Sequence, residues 1–180
     1  MSPFPRKQSG MALLVCLTFL LLLSLIGLSS LQSAAQQEKM AGSVWLANQS
    51  LQASETALRR GESQVQIEWP GLLDCNTVAR CMPPLSARTQ ISPGVDPISG
   101  VLWIGAPDGL YGIQSLGVGI APAHLPGIAS AHLYRITAVG LRGPSRTVLE
   151  SVYARYQPLS SDKGEPIRQQ FRRIMWRQIQ

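Results

Sequence analysis

The chain has 180 residues, 45% of them hydrophobic, with 13 prolines and a formal net charge of +6. That length holds one domain and an appendage and excludes two full domains. The positive charge is dispersed: Arg6 and Lys7 precede an apolar run and the other cations are scattered up to the C-terminus. No basic block interleaved with aromatics exists, so the composition argues against nucleic-acid binding.

The apolar residues are concentrated at the start, where residues 11–37 carry no charge at all. The run 11–31 reaches the roughly 20 apolar residues that cross a ~30 Å hydrocarbon core as a helix. A secretory signal has a shorter apolar segment followed by a small-x-small cleavage site. Here neither an Ala-x-Ala motif nor a helix breaker follows, and no proline occurs before Pro70. The continuation is rich in Ala, Gln, Glu, Leu and Arg, which are good helix formers. Met40, Val44, Ala47, Leu51, Ser54, Leu58, Gly61 and Val65 recur at alternating four- and three-residue steps. That spacing predicts one narrow packing face, with Glu38, Lys39, Gln49, Arg60 and Glu62 opposite. One helix is therefore expected, transmembrane over 11–31 and amphipathic over 32–69, stopped by "EWPG". Arg6 and Lys7 place the first ten residues in the cytoplasm and the domain outside it.

Cys16 lies within the apolar run and reads as a small hydrophobe. Cys75 and Cys81 are close enough to close a short disulfide loop in an oxidising compartment. A zinc site would need two further ligands, and no second Cys pair or His pair at finger spacing is present.

Residues 70–180 shift to Gly, Pro and short apolar runs, the pattern of a β-rich domain ending in a C-terminal tail. "GVLWIGA" and "GLYGIQSLGVGI" are strand candidates, with Pro107-Asp108-Gly109 as the turn between them. "AHLYRITAVG" alternates Tyr134, Ile136 and Ala138 with Arg135 and Thr137, and "RTVLESVYARY" completes a hairpin with it. Residues 89–97 read as loop. The tail "GEPIRQQFRRIMWRQIQ" fits either a helix, with Pro166 in its first turn and Ile167, Phe171, Ile174 and Met175 on one face, or an edge strand around 174–176.

No catalytic constellation is visible. His124 and His132 have no acidic residue near them in sequence, and Asp96 and Asp108 are isolated. Gly117-Val118-Gly119 lacks the third glycine and following helix of a dinucleotide loop. No metal, cofactor or enzymatic activity is expected.

Several strings carry a family resemblance. "RKQSG" followed directly by "MALLV" resembles the leader and helix start of type IV prepilins. The whole string 8–62, with "EKMAG" at 38–42 and "LQASETALRRGE" at 51–62, and "LYRITAVGLRGPSRTVLESVYARY" at 133–156 are similar to PilX-type minor pilins, and together these two stretches cover just under half the chain. The resemblance implies an α+β, pilin-like fold, with one long N-terminal helix packed on a small antiparallel sheet. It also implies cleavage between Gly10 and Met11 by a prepilin peptidase, followed by methylation of Met11. Implied partners are other minor pilins, the major pilin, the pilus assembly platform of the inner membrane and the lipid bilayer. The domain would then be periplasmic until assembly.

One departure bears on position. Major pilins carry, at the fifth residue of the mature chain, a glutamate that pairs with the subunit ahead. Here that residue is Val15. A carboxylate without a partner is costly in an apolar core, so Val15 suits a subunit with nothing ahead of it, at the tip or start of a fibre; the alternative is that Val15 is simply a lipid-compatible residue in a subunit held by its other contacts. Two rivals remain open: a minor pseudopilin of a type II secretion system, and a single-pass anchored periplasmic binding or scaffold protein.

Overall fold

The computed structural model describes residues 9–120, 130–156 and 169–179. Residues 1–8 of the expected leader, His124, Pro166 and Ile167 lie outside them. The chain divides into two compact units, Met1–Val44 and Trp45–Gln180. One helix, α1 (Ser9–Glu68), contributes to both. In the first unit the described residues are helical throughout, and every side chain at 11–44 is exposed.

In the second unit α1 runs on to Glu68. Trp69–Gly71 then tighten into a 3-10 turn, because Pro70 has no N–H with which to continue the helix. A single helical turn, α2 (Val78–Cys81), follows and is capped by the Thr77 side chain, which accepts from the Arg80 amide. After a second 3-10 turn at Leu85–Arg88 come six strands: β1 (Gly94–Val95), β2 (Leu102–Ala106), β3 (Gly109–Ile120), β4 (Ser130–Arg142), β5 (Ser145–Tyr156) and β6 (Gln170–Ile179). They form one antiparallel sheet in sequence order. This is the expected α+β, pilin-like layout, a long N-terminal helix packed on an antiparallel sheet.

Turn chemistry sets the register. Pro107 and Asp108 join β2 to β3, with Asp108 in the left-handed region at φ 58°. Its carboxylate accepts from Arg142 Nη2 at 2.6 Å and its carbonyl from the Leu141 amide at 2.9 Å. Gly143 and Pro144 join Arg142 to Ser145. Gly143 has φ 52°, as a tight two-residue hairpin turn requires at its first position.

The central strands are covered on both faces, so residues 136–140 are all buried. One face meets α1: Ala57, Leu58 and Val65 pack with Tyr111, Tyr134, Ile136, Ala138 and Leu149. The other face lies under the segment leading into the sheet, with Ala87, Val101, Trp103, Leu110, Val139 and Val148 in contact.

Of the two readings open for the C-terminal tail, the strand holds, over Gln170–Ile179, because pairing with β5 inserts Phe171 into the helix-side core. Three expectations need correction. The loop read over 89–97 contains the two-residue strand β1. Of the predicted stripe, Leu51, Ser54, Leu58, Gly61 and Val65 are at least partly buried, whereas Met40, Val44 and Ala47 are exposed. Glu62, assigned to the solvent face, is 4% exposed: it follows Leu58 by four residues and so shares the packed side of the helix.

Candidate functional site

The seam between α1 and the sheet is lined by small residues. Ser50, Ala53, Ser54, Ala57 and Gly61 are all buried. A Cβ placed on Gly140 would collide with the Ser50 carbonyl oxygen and lie 2.5 Å from the Ser54 nitrogen. The backbones of helix and strand therefore meet here without a side chain between them. Ser50 Oγ is 2.7 Å from Thr147 Oγ1 and 3.1 Å from Ser145 Oγ, which satisfies the buried hydroxyls across the seam.

Two buried carboxylates fasten β6. Glu62 on α1 accepts both a Nε and a Nη2 hydrogen bond from Arg173. The Arg173 guanidinium is held above its ordinary pKa, chiefly by that hydrogen bond. Glu150, fully buried on β5, accepts from Arg177 Nε at 3.0 Å, with Arg177 Nη2 2.8 Å from the same oxygen, and Arg135 Nε lies 3.3 Å from its other oxygen as an ion-pair contact without a hydrogen bond. Burial pushes the Arg135 guanidinium downward, while the Glu150 charge opposes that shift.

Cys75 and Cys81 are joined by a disulfide. Their loop is pinned to the sheet along its length. Cys75 N donates to the Ser115 carbonyl at 2.8 Å, Gln114 Nε2 to the Arg80 and Met82 carbonyls, and Arg135 Nη1 to the Cys81 carbonyl at 2.6 Å. Asp74 pairs with β3 at Ser115 in an isolated parallel bridge, capping the β3 edge beyond the end of β2.

Asp74, Ser115 and His132 come together there, although no sequence neighbour links them. Ser115 Oγ donates to Asp74 Oδ1 at 2.6 Å, and His132 Nε2 lies 2.9 Å from Ser115 Oγ and 2.8 Å from the same Asp74 oxygen. The Ser115 hydroxyl, with the His132 ring behind it, holds the Asp74 carboxyl below the usual carboxylate range against the opposing effect of burial. A nucleophile–base–orienter relay needs the two ring nitrogens of histidine to serve different partners. Here one nitrogen meets both, so the triangle anchors the loop and provides no relay. Among the described residues, no three His, Cys, Asp or Glu side chains are placed to share a metal ion.

The predicted processing and membrane residues lie in the first unit. The Gly10–Met11 bond falls in the opening turn of α1. Val15 is 46% exposed, and its carbonyl accepts from Thr18 Oγ1 at 2.8 Å. Cys16 is a free, exposed thiol. Gly27 and Gly42 have nothing within 4 Å of an added Cβ. The helix is long and apolar enough to span a membrane, and its most apolar window is wholly uncovered.

Sequence reasoning missed the roles of Glu62, Glu150, Gln114, Asp74 and His132. Only Glu62 left a local signal, its four-residue spacing from Leu58; the others acquire partners through strand register. No protein-family model matches the chain, and no curated protein or solved structure matches it either.

Proposed function

We propose that this chain is a minor pilin that helps to initiate a type IV pilus and occupies its tip, acting by packing and without catalysis. One observation carries the reading: α1 changes character along its length. Its opening run is apolar on every side and uncovered, while residues 50–65 are fixed by one face to an antiparallel sheet. A helix apolar all round belongs in lipid or among equally apolar helices. Transfer from one to the other changes little hydrophobic energy, so close packing decides specificity. Gly27, Ser29, Ser30, Ala34 and Ala35 leave room for a neighbouring backbone, and the exposed Met40 and Val44 extend the surface offered to a neighbour.

In this account the subunit waits in the inner membrane with its N-terminus cytoplasmic and its domain periplasmic. A prepilin peptidase cuts between Gly10 and Met11, and the assembly platform then draws the helix into a bundle with other minor pilins and the major pilin. Val15 stands where a shaft subunit would present a glutamate to a subunit ahead. The test is deletion of the gene in its native host, followed by complementation with the parent chain or Val15→Glu. Loss of surface pili on deletion, rescue by the parent and impaired rescue by Val15→Glu support the reading. Unchanged piliation on deletion contradicts the assembly role, and full rescue by Val15→Glu contradicts the tip position.

A further inference from the structure

The two edges of the sheet are unequal. β1 is two residues long and lies between Pro93 and Pro97, so it offers almost no backbone for another strand. β6 is ten residues long with neither proline nor glycine, and among the described residues nothing pairs with its outer side. An uncovered edge of that length is a template for strand addition unless something blocks it. Its only interruption is the irregularity between the pairs Val152–Met175 and Tyr153–Arg173.

The side chains of β6 indicate the partner. Its charges are all positive, at Arg172, Arg173 and Arg177. Arg173 is committed to Glu62. Arg177 directs Nε and Nη2 to Glu150 and remains 53% exposed, so part of its guanidinium still faces outward. Arg172 is exposed and has no carboxylate partner among the described residues. Arg172 and Arg177 pair with Ala154 and Glu150, which puts both on the sheet face away from α1. Phe171 and Trp176 pair with Arg155 and Ser151, on the α1 side.

Self-pairing is disfavoured. The antiparallel register that uses all ten residues and keeps inward and outward groups matched sets Arg172 opposite Arg177 twice. Like charges directly opposite each other are destabilising. A strand alternating acidic and apolar residues fits instead, with carboxylates toward Arg172 and Arg177 and apolar groups beside Phe171 and Trp176.

We propose that the outer edge of β6 receives an extended acidic strand from another protein, which extends the sheet by backbone pairing. This surface belongs to the second unit and does not depend on the pilin reading. The test uses the full chain in detergent micelles with two synthetic peptides as long as β6, one alternating Glu and Val, the other alternating Lys and Val. The Glu peptide should bind and slow amide exchange in β6, with the Lys peptide weaker by about tenfold or more. Arg172→Glu, which breaks no ion pair, should weaken the Glu peptide by a similar factor. Equal binding of the two peptides, binding of neither, or protection outside β6 overturns the proposal. A dimer of the free chain with β6 amides already protected also overturns it, in favour of a second copy.

Discussion

Gly140 offers the sharpest probe of how the helix sits on the sheet. In Gly140→Ala the new methyl would lie 2.5 Å from the Ser54 nitrogen and 2.9 Å from its Cβ, where ordinary contact begins at 3.4 Å. The obstacle is helix backbone, which has no rotamer with which to evade, so α1 must lift by about 1 Å there. Overpacking of this kind costs about 1–3 kcal/mol. The lift also stretches the 2.7 Å contact between Ser50 and Thr147, adding about 1 kcal/mol for a buried hydrogen bond. We expect a loss of about 3 kcal/mol in urea unfolding of the full chain in micelles, followed by tryptophan fluorescence. Trp103, 1% exposed, reports on the sheet. Gly42→Ala is the control: its methyl meets nothing, and a mid-helix Gly-to-Ala change favours the helix by about 0.5–1 kcal/mol. A Gly140→Ala variant within about 0.5 kcal/mol of the parent would refute the close seam.

Glu62→Gln should lower stability by about 1–2 kcal/mol, the low end for charged hydrogen bonds because Arg173 is 39% exposed. A double-mutant cycle with Arg173→Met that shows no coupling would remove the pair from the account of β6. At Asp96, burial alone would raise the carboxyl pKa. Hydrogen bonds from the Ser99 hydroxyl, the Ile98 amide and the Ser86 hydroxyl outweigh that effect, and the pKa ends below its ordinary value. A depressed carboxyl stabilises the fold above its unfolded pKa of about 3.9 and ceases to do so as pH falls through the folded value. The gap between Asp96→Asn and the parent should therefore hold steady down to about pH 5 and narrow as the pH falls further, through about 3.9 and below, and a constant gap contradicts the network. Replacing Cys75 and Cys81 with serine opens a loop of sequence separation 6 and should cost about 2 kcal/mol. Amide exchange should rise at Cys75, and no rise there would mean that the Ser115 contacts hold the loop unaided.

Features written in local chemistry were legible before folding. Pro70 ends α1, Gly143 and Pro144 make the turn between β4 and β5, and the spacing of Cys75 and Cys81 suits a small loop. The packed stripe was legible only in part. Periodicity identifies a face but not its width or its ends. Ser50, Ala53 and Ala57 widen it because the sheet approaches closely at Gly140, while the rhythm of Met40 and Val44 continues where the side chains are exposed. The tail was ambiguous because Phe171, Ile174 and Met175 satisfy a helical spacing, and pairing with β5 decides against it. The triangle of Asp74, Ser115 and His132 draws on three separate segments, so only the fold brings it together.

The central claim is that α1 opens with a helix made to leave the membrane for a fibre. The most direct measurement is intact mass with N-terminal sequencing of the protein taken from its native membrane. The account predicts a chain that begins at N-methylated Met11. A chain that still begins at Met1 would contradict it and leave the apolar run as a membrane anchor alone.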